Sequence, residues 1–302
     1  MKRFLTAHPA PPNSPPPVPP RSSWLALAAL LVSTLAPLPA LADLMLYPTR
    51  VSLEANQRAA QVQLVNRGQK AESYRISVVN RRMTETGQIV AADTPEPDEQ
   101  FAQELIRYSP RQVTLQPGEA QTVRISVRKP AGLAAGEYRS HMQFDRLPDA
   151  EGSTDLEQVT KLQPGEAAVK ITALIGASIP VIVRHGENAA SVTLDTLALE
   201  RATPAAGATE GSPLLSFHMN RSGNRSVHGN LTASYTPPGG RPVTVGQVNG
   251  VAVYVPNALR TAKLPLRLPE GLTLQGGVIT LRYDQRTEDG GKPMAQATLA
   301  VP

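Results

Sequence analysis

Between Val169 and Val183 the chain carries an unbroken period-two alternation, and no other segment limits the fold as much. One parity reads Val169, Ile171, Ala173, Ile175, Ala177, Ile179, Val181, Val183; the other reads Lys170, Thr172, Leu174, Gly176, Ser178, Pro180, Ile182. Side chains alternate faces along a strand, so the first parity predicts one wholly apolar face. At about 3.3 Å per residue the run extends for roughly 50 Å, about twice what a small sandwich needs. The surplus must cover something or be covered. Two readings stand: a long core strand buried by its neighbours, or an edge strand whose branched side chains are offered to a partner. Edges are normally blunted by charge or proline, yet Ile171 to Ile179 has no charge. Pro180 removes a ladder donor, so pairing on that side is expected to be interrupted there.

The rest of the chain repeats short-strand grammar. Its 29 prolines and 22 glycines are spread throughout, which suits many short strands joined by turns. Strands are expected around Val51–Leu53, Val62–Leu64, Tyr74–Val78, Ile106–Pro110, Val113–Leu115, Thr122–Val127 and Tyr138–Phe144. The turns Glu54 to Gln57 and Gln116-Pro117-Gly118-Glu119 punctuate them, Thr84 to Gly87 is a polar run, and Asp93 to Gln100 is a loop. The segment after Phe144, rich in Asp, Glu, Gly and Pro, has the length of a functional loop. Seven short strands and one long terminal strand describe an immunoglobulin-like sandwich over 43–184. A hinge at 185–188 precedes a second β-sandwich over 189–302. Its strands are expected at Ser191–Leu199, Leu214–Asn220, Gly229–Tyr235, Val251–Val255, Ala262–Leu268, Val278–Tyr283 and Ala295–Val301. The fold class is all-β.

The N-terminus reads as an export signal. Lys2 and Arg3 open it, the apolar run Trp24 to Leu41 follows Arg21, and Ala40-Leu41-Ala42 is a small-x-small cleavage box. Cleavage after Ala42 is expected; the competing reading is an uncleaved anchor, against which Pro37 and Pro39 argue. No second apolar stretch approaches spanning length, so the mature chain is expected not to insert in a membrane. There is no cysteine, so an exported chain of this kind takes its stability from packing and sheet pairing. The formal charge of +5 fits an acidic or carboxylate-bearing partner. It speaks against nucleic acid, since no Lys/Arg cluster interleaves with aromatics. Neither a metal-binding spacing of histidines nor a nucleophile elbow, Walker loop or Rossmann fingerprint appears. No enzyme activity, metal or cofactor is expected, and His218 and His228 read as polar strand-face residues. The single tryptophan lies in the signal, which disfavours a carbohydrate-binding or hydrolytic protein.

Three segments together resemble the PapD-like family of periplasmic pilus chaperones. They are Leu46-Tyr47-Pro48-Thr49-Arg50-Val51 with Val62-Gln63-Leu64-Val65-Asn66; Tyr108-Ser109-Pro110 with Val113 to Glu119 and Gln121 to Ile125; and Ile179-Pro180-Val181-Ile182-Val183-Arg184. The resemblance implies two immunoglobulin-like sandwiches in a boomerang arrangement, working in the periplasm with pilin or fimbrial subunits and an outer-membrane usher. It implies donor-strand complementation, in which the strand over 169–183 enters a subunit lacking its own last strand. Ile171, Ala173, Ile175 and Ala177 would then fill the subunit's pockets.

The family anchors the subunit's terminal carboxylate with basic residues between the domains. Arg50 matches one of them; the plainer reading is a solvated charge at a strand end. At the second anchor many members have a Lys two residues before a Leu/Val-aromatic pair, whereas this chain has Pro180. Arg139 is expected to supply the missing charge. Arg184 resembles a residue that ties the domains by a salt bridge, with Glu288 as its expected partner. The alternative function is a secreted structural or adhesive two-sandwich surface protein.

Overall fold

The computed structural model describes residues 43–54, 56–148, 176–204 and 211–302. The chain divides into Met1–Leu41 and Ala42–Pro302, and all of these residues belong to the second unit. The expected signal peptide, and Ile171, Ala173 and Ile175 of the expected donor strand, lie outside the described residues.

Alternation becomes strand wherever the apolar parity finds a facing sheet. In the first half the strands are β1 (Leu44–Tyr47), β2 (Val51–Leu53), β3 (Ala59–Asn66), β4 (Glu72–Val79), β5 (Arg81–Met83), β6 (Ile89–Ala91), β7 (Ile106–Ser109), β8 (Gln112–Leu115), β9 (Ala120–Val127), β10 (Gly136–Arg146) and β11 (Gly176–His185). One sheet has the order β1-β3-β9-β7 and the other β2-β11-β10-β4-β8, while β5 and β6 pair only with each other. Val62, Leu64, Val123 and Ile125 of the first sheet meet Ile76, Phe144, Val181 and Val183 of the second in one buried core. Their polar neighbours Gln61, Gln63 and Arg124 face out, as a half-buried antiparallel sheet requires. Asn66 closes β3. Its buried amide donates to the Lys70 and Leu115 carbonyls at 2.7 and 2.9 Å and accepts from Gly68 N–H at 2.9 Å, so the polar group carries no desolvation penalty.

The second half contains β12 (Ala190–Arg201), β13 (Pro213–Gly223), β14 (Val227–Thr236), β15 (Val243–Val253), β16 (Leu259–Pro265), β17 (Val278–Gln285) and β18 (Pro293–Ala300). Sheets β12-β13-β16 and β15-β14-β17-β18 enclose a separate core around Phe217, Met219, Leu231, Tyr235, Leu281 and Tyr283. Tyr235 and Tyr283 are fully buried because their hydroxyls find carbonyls: Gly276 at 2.8 Å and Val251 at 2.7 Å. The protein is thus an all-β pair of sandwiches. No helix among the described residues is long and apolar enough to cross a membrane.

Three elements depart from the sequence expectation. Strand β1 starts at Leu44. The polar run Thr84 to Gly87 is the tip of the β5–β6 hairpin, closed by Thr84 N–H to the Gln88 carbonyl at 2.8 Å. Strand β15 begins eight residues before Val251, because bulges opposite β14 break its alternation.

Pairing around β11 is uneven. Strand β10 runs antiparallel to it along its whole described length, from Gly136↔His185 to Asp145↔Gly176. Strand β2 runs parallel to it only at Val181 to Val183. Pairing on that side therefore starts immediately after Pro180, where the missing N–H was expected to interrupt it. Among the described residues Gly176 to Pro180 are paired by β10 alone.

Candidate functional site

The site is built where β10 and β11 turn their second face toward the second sandwich. One face of β11, carrying Ile179, Val181 and Val183, is committed to the first core. The opposite parity presents Ile182, which packs with Met83, Ala252 and Tyr254 in a small buried cluster of its own. Along β10 the same parity runs Glu137, Arg139, His141, a row of ionisable groups nearly closed off from water.

Arg50, just ahead of β2, and Arg139, in β10, meet on one ring. The Arg139 guanidinium lies 4.3 Å from the Tyr254 ring centroid and that of Arg50 5.4 Å. Arg50 Nη1 donates to the Tyr254 hydroxyl at 3.1 Å. Cation–π attraction offsets part of the cost of holding two like charges together. Arg139 is only 4% exposed, and among the described residues no acceptor reaches its Nε or Nη1. Burial holds its pKa below the usual range, Tyr254 and Glu137 oppose that, and Arg50 adds to it. A guanidinium stays charged through such a shift, so Arg139 is a buried positive charge with unmet donors, next to the half-buried Arg50. Unmet buried donors are costly, and a carboxylate meets a planar fork of N–H groups with two short bonds.

Arg50 also lines a cleft of about 960 Å³ between the sandwiches, with Tyr47, Thr49, Arg225, Ser226 and His228 among its walls. Burial first, then Arg50 and Arg286, depress His228 to a pKa of about 3. It is neutral near pH 7, so its 4.0 Å approach to Asp289 is no ion pair. Tyr47 is 70% exposed at the cleft wall.

The expected Arg184–Glu288 bridge is not the pairing the structure has. Arg184 Nε donates to Glu137 at 3.0 Å and its Nη1 pairs with Glu54. Glu288 pairs with Arg286, two residues away, in the short turn Thr287–Asp289, where a local cation outcompetes a distant one. The tie between sandwiches runs instead through Glu137, which accepts from the Ser226 amide at 3.1 Å and from the Ser226 hydroxyl. Ser226 Oγ in turn accepts from Val255 N–H at 3.0 Å.

Arg50 and Arg139, expected to act together, are brought together. Ala177, the described member of the expected donor set, sits half-buried in β11 at its singly paired end. Tyr254 and Ser226 were missed, since nothing local distinguishes a tyrosine at a strand end or a serine in Arg225-Ser226. Glu137 lay in plain view two residues before Arg139 on the same strand parity, a signal that a buried-pair argument had in reach.

No family model matches the chain, and no curated protein matches it. Among solved structures it is similar to the CsuC–CsuE chaperone–tip adhesion subunit pre-assembly complex from the archaic chaperone-usher Csu pili of Acinetobacter baumannii, with 13% identity, 86% of this chain and 98% of that one covered, and a TM-score of 0.41. It is similar to the E. coli chaperone DraB, with 12% identity, 86% and 96% covered, and a TM-score of 0.41. It is similar to a structure of the Salmonella enterica SafA pilin in complex with the SafB chaperone, with 16% identity, 86% and 97% covered, and a TM-score of 0.39.

Proposed function

We propose that the chain is a non-catalytic periplasmic chaperone of pilus subunits. After export by the signal 1–42, the domain 43–184 holds the subunit, joined by the hinge 185–188 to the domain 189–302. The observation that carries the reading is the Arg50–Tyr254–Arg139 centre, where the buried Arg139 Nε and Nη1 find no acceptor among the described residues and a subunit's terminal carboxylate would supply one. The singly paired end of β11 supports it. In the sequence this end follows the uncharged run Ile171 to Ile175, and among the described residues Gly176 to Pro180 are open on one side, as strand addition requires. Each aliphatic side chain buried in the subunit contributes about 1.5–3 kcal/mol before ordering costs. The loaded subunit would then pass to an outer-membrane usher.

The test is recovery of a co-expressed fimbrial subunit from the periplasm. Replacing Ile171 and Ile175 by Asp is expected to abolish recovery while the chain stays folded by circular dichroism. Arg139→Ala is expected to weaken the complex by roughly 10- to 100-fold, the worth of one or two charge-assisted hydrogen bonds. Normal recovery with Ile171→Asp/Ile175→Asp would sink the proposal.

A further inference from the structure

The hairpin β5–β6 belongs to the first sandwich in sequence, yet its tip is bonded to the second. Glu85 offers its carbonyl to Thr261 N–H at 2.8 Å, on the side of β16 away from β13. The Met83 carbonyl accepts from Asn257 Nδ2 at 2.9 Å. Gly87, with a φ of +84°, lies so close to Arg260 that an added Cβ would stand 2.5 Å from its guanidinium. Arg260 Nη1 is itself spent on the Ala252 carbonyl at 2.5 Å. The Met83 side chain, 6% exposed, packs with Tyr254, Ala252 and Ile182.

The base of the hairpin is fixed as well. Arg82 Nε and Nη2 donate to the two oxygens of Glu99 at 2.9 and 2.8 Å, Nη2 also reaches the Thr94 carbonyl at 2.7 Å, and Nη1 pairs with Glu96. Ala92 N–H closes the far strand on the Asn80 carbonyl at 3.1 Å. A two-stranded ribbon alone is marginal in water. This one is gripped at both ends, so it can carry a restraint between domains.

We infer that the β5–β6 hairpin is a clasp that sets the position of Tyr254, and through it the spacing of Arg50 and Arg139. Met83, Gly87 and Asn257 are its positioning residues. Its relevance to binding rests on the carboxylate-anchor reading, but the clasp itself is tested without any ligand. The chain has no cysteine, so Gln121→Cys in β9 and Gln296→Cys in β18, both exposed, take spin labels selectively. Pulsed electron resonance then reads the distance between the sandwiches. In parallel, 3-fluorotyrosine incorporation gives a fluorine resonance for Tyr254, assigned with Tyr254→Phe.

Gly87→Val and Asn257→Ala are expected to broaden the distance distribution, since domains joined by a small interface move, and to shift the Tyr254 resonance. Met83→Ala is expected to do the same and Met83→Leu to restore both. Both changes together support the clasp. An unchanged distance distribution, or an unmoved Tyr254 resonance, in folded Asn257→Ala and Gly87→Val protein overturns it. Loss of the anchor reading, seen as unaltered subunit binding by Arg50→Ala and Arg139→Ala, would leave both readouts standing.

Discussion

His141 stands in the middle of β10, 3% exposed, with no partner for its Nδ1 among the described residues. Burial first, and then the positive charges of Arg139, Arg81 and Arg50, hold its pKa at about 3. The folded chain therefore keeps the imidazole neutral, while the unfolded chain protonates it near the ordinary value of about 6.5. Stability from this residue is fully present above pH 6.5 and is lost as pH falls toward 3. At pH 5 the loss amounts to about 2 kcal/mol. His228 shifts in the same direction, so His141→Gln is expected to remove part of the acid sensitivity, not all of it. Urea unfolding at pH 7 and pH 5 measures this; equal losses in the variant and the parent would contradict it. The row Glu137, Arg139, His141 was visible in the sequence as alternate residues of one strand. That it is buried was not, because burial of this second face depends on residues more than one hundred positions away, Tyr254 and Ala252.

At the level of elements, Glu137 joins β10 and β11 to the start of β14. It is 1% exposed and accepts from Arg184 in its own sandwich and from Ser226 in the other. Glu137→Ala leaves the buried Arg184 side chain, among the described residues, with Glu54 alone and strands the Ser226 donors. Breaking one partner of a buried pair costs about 3–5 kcal/mol, and that loss of unfolding free energy is expected here. Glu288→Ala touches only an exposed local pair and is expected to stay within about 0.5 kcal/mol of the parent. A large effect at Glu288 would restore the bridge that the structure replaces. Most strands were legible because alternation tracks a half-buried sheet: Val62 and Leu64 alternating with Gln61 and Gln63, or Leu231, Ala233 and Tyr235 along β14. The β5–β6 hairpin was not. Its outer strand Ile89–Ala91 is exposed throughout, so no buried parity marks it, and its anchoring partners Asn257 and Thr261 lie far along the chain.

Over the whole molecule, two cores share no buried residue and meet through few contacts. Among the described residues these include the cluster of Met83, Ile182, Ala252 and Tyr254, the contacts of Arg50 and Arg139 with Tyr254, the Glu137–Ser226 tie, and the hairpin bonds to Asn257 and Thr261. Domains joined this sparingly move relative to each other by default, so cooperativity between them depends on the few residues that belong to both sides. Tyr254 joins three of these. Its ring faces Arg139, its hydroxyl accepts from Arg50, and it shares a buried cluster with Met83. Tyr254→Ala deletes a buried aromatic, at about 3–5 kcal/mol, and removes the ring against which both guanidiniums lie. Neither core contains Tyr254, so the loss falls on the coupling between them. Native-state hydrogen exchange separates the two, through the amides of Val62 and Leu64 in one core and of Leu231 and Tyr235 in the other. In the parent chain the slowest amides of both cores are expected to open with one common free energy. In Tyr254→Ala they are expected to part into two values, one for each sandwich. A single lowered value for both would mean that the cores are coupled by the strand β11 and its continuation into β12, and not by the arginine–tyrosine centre.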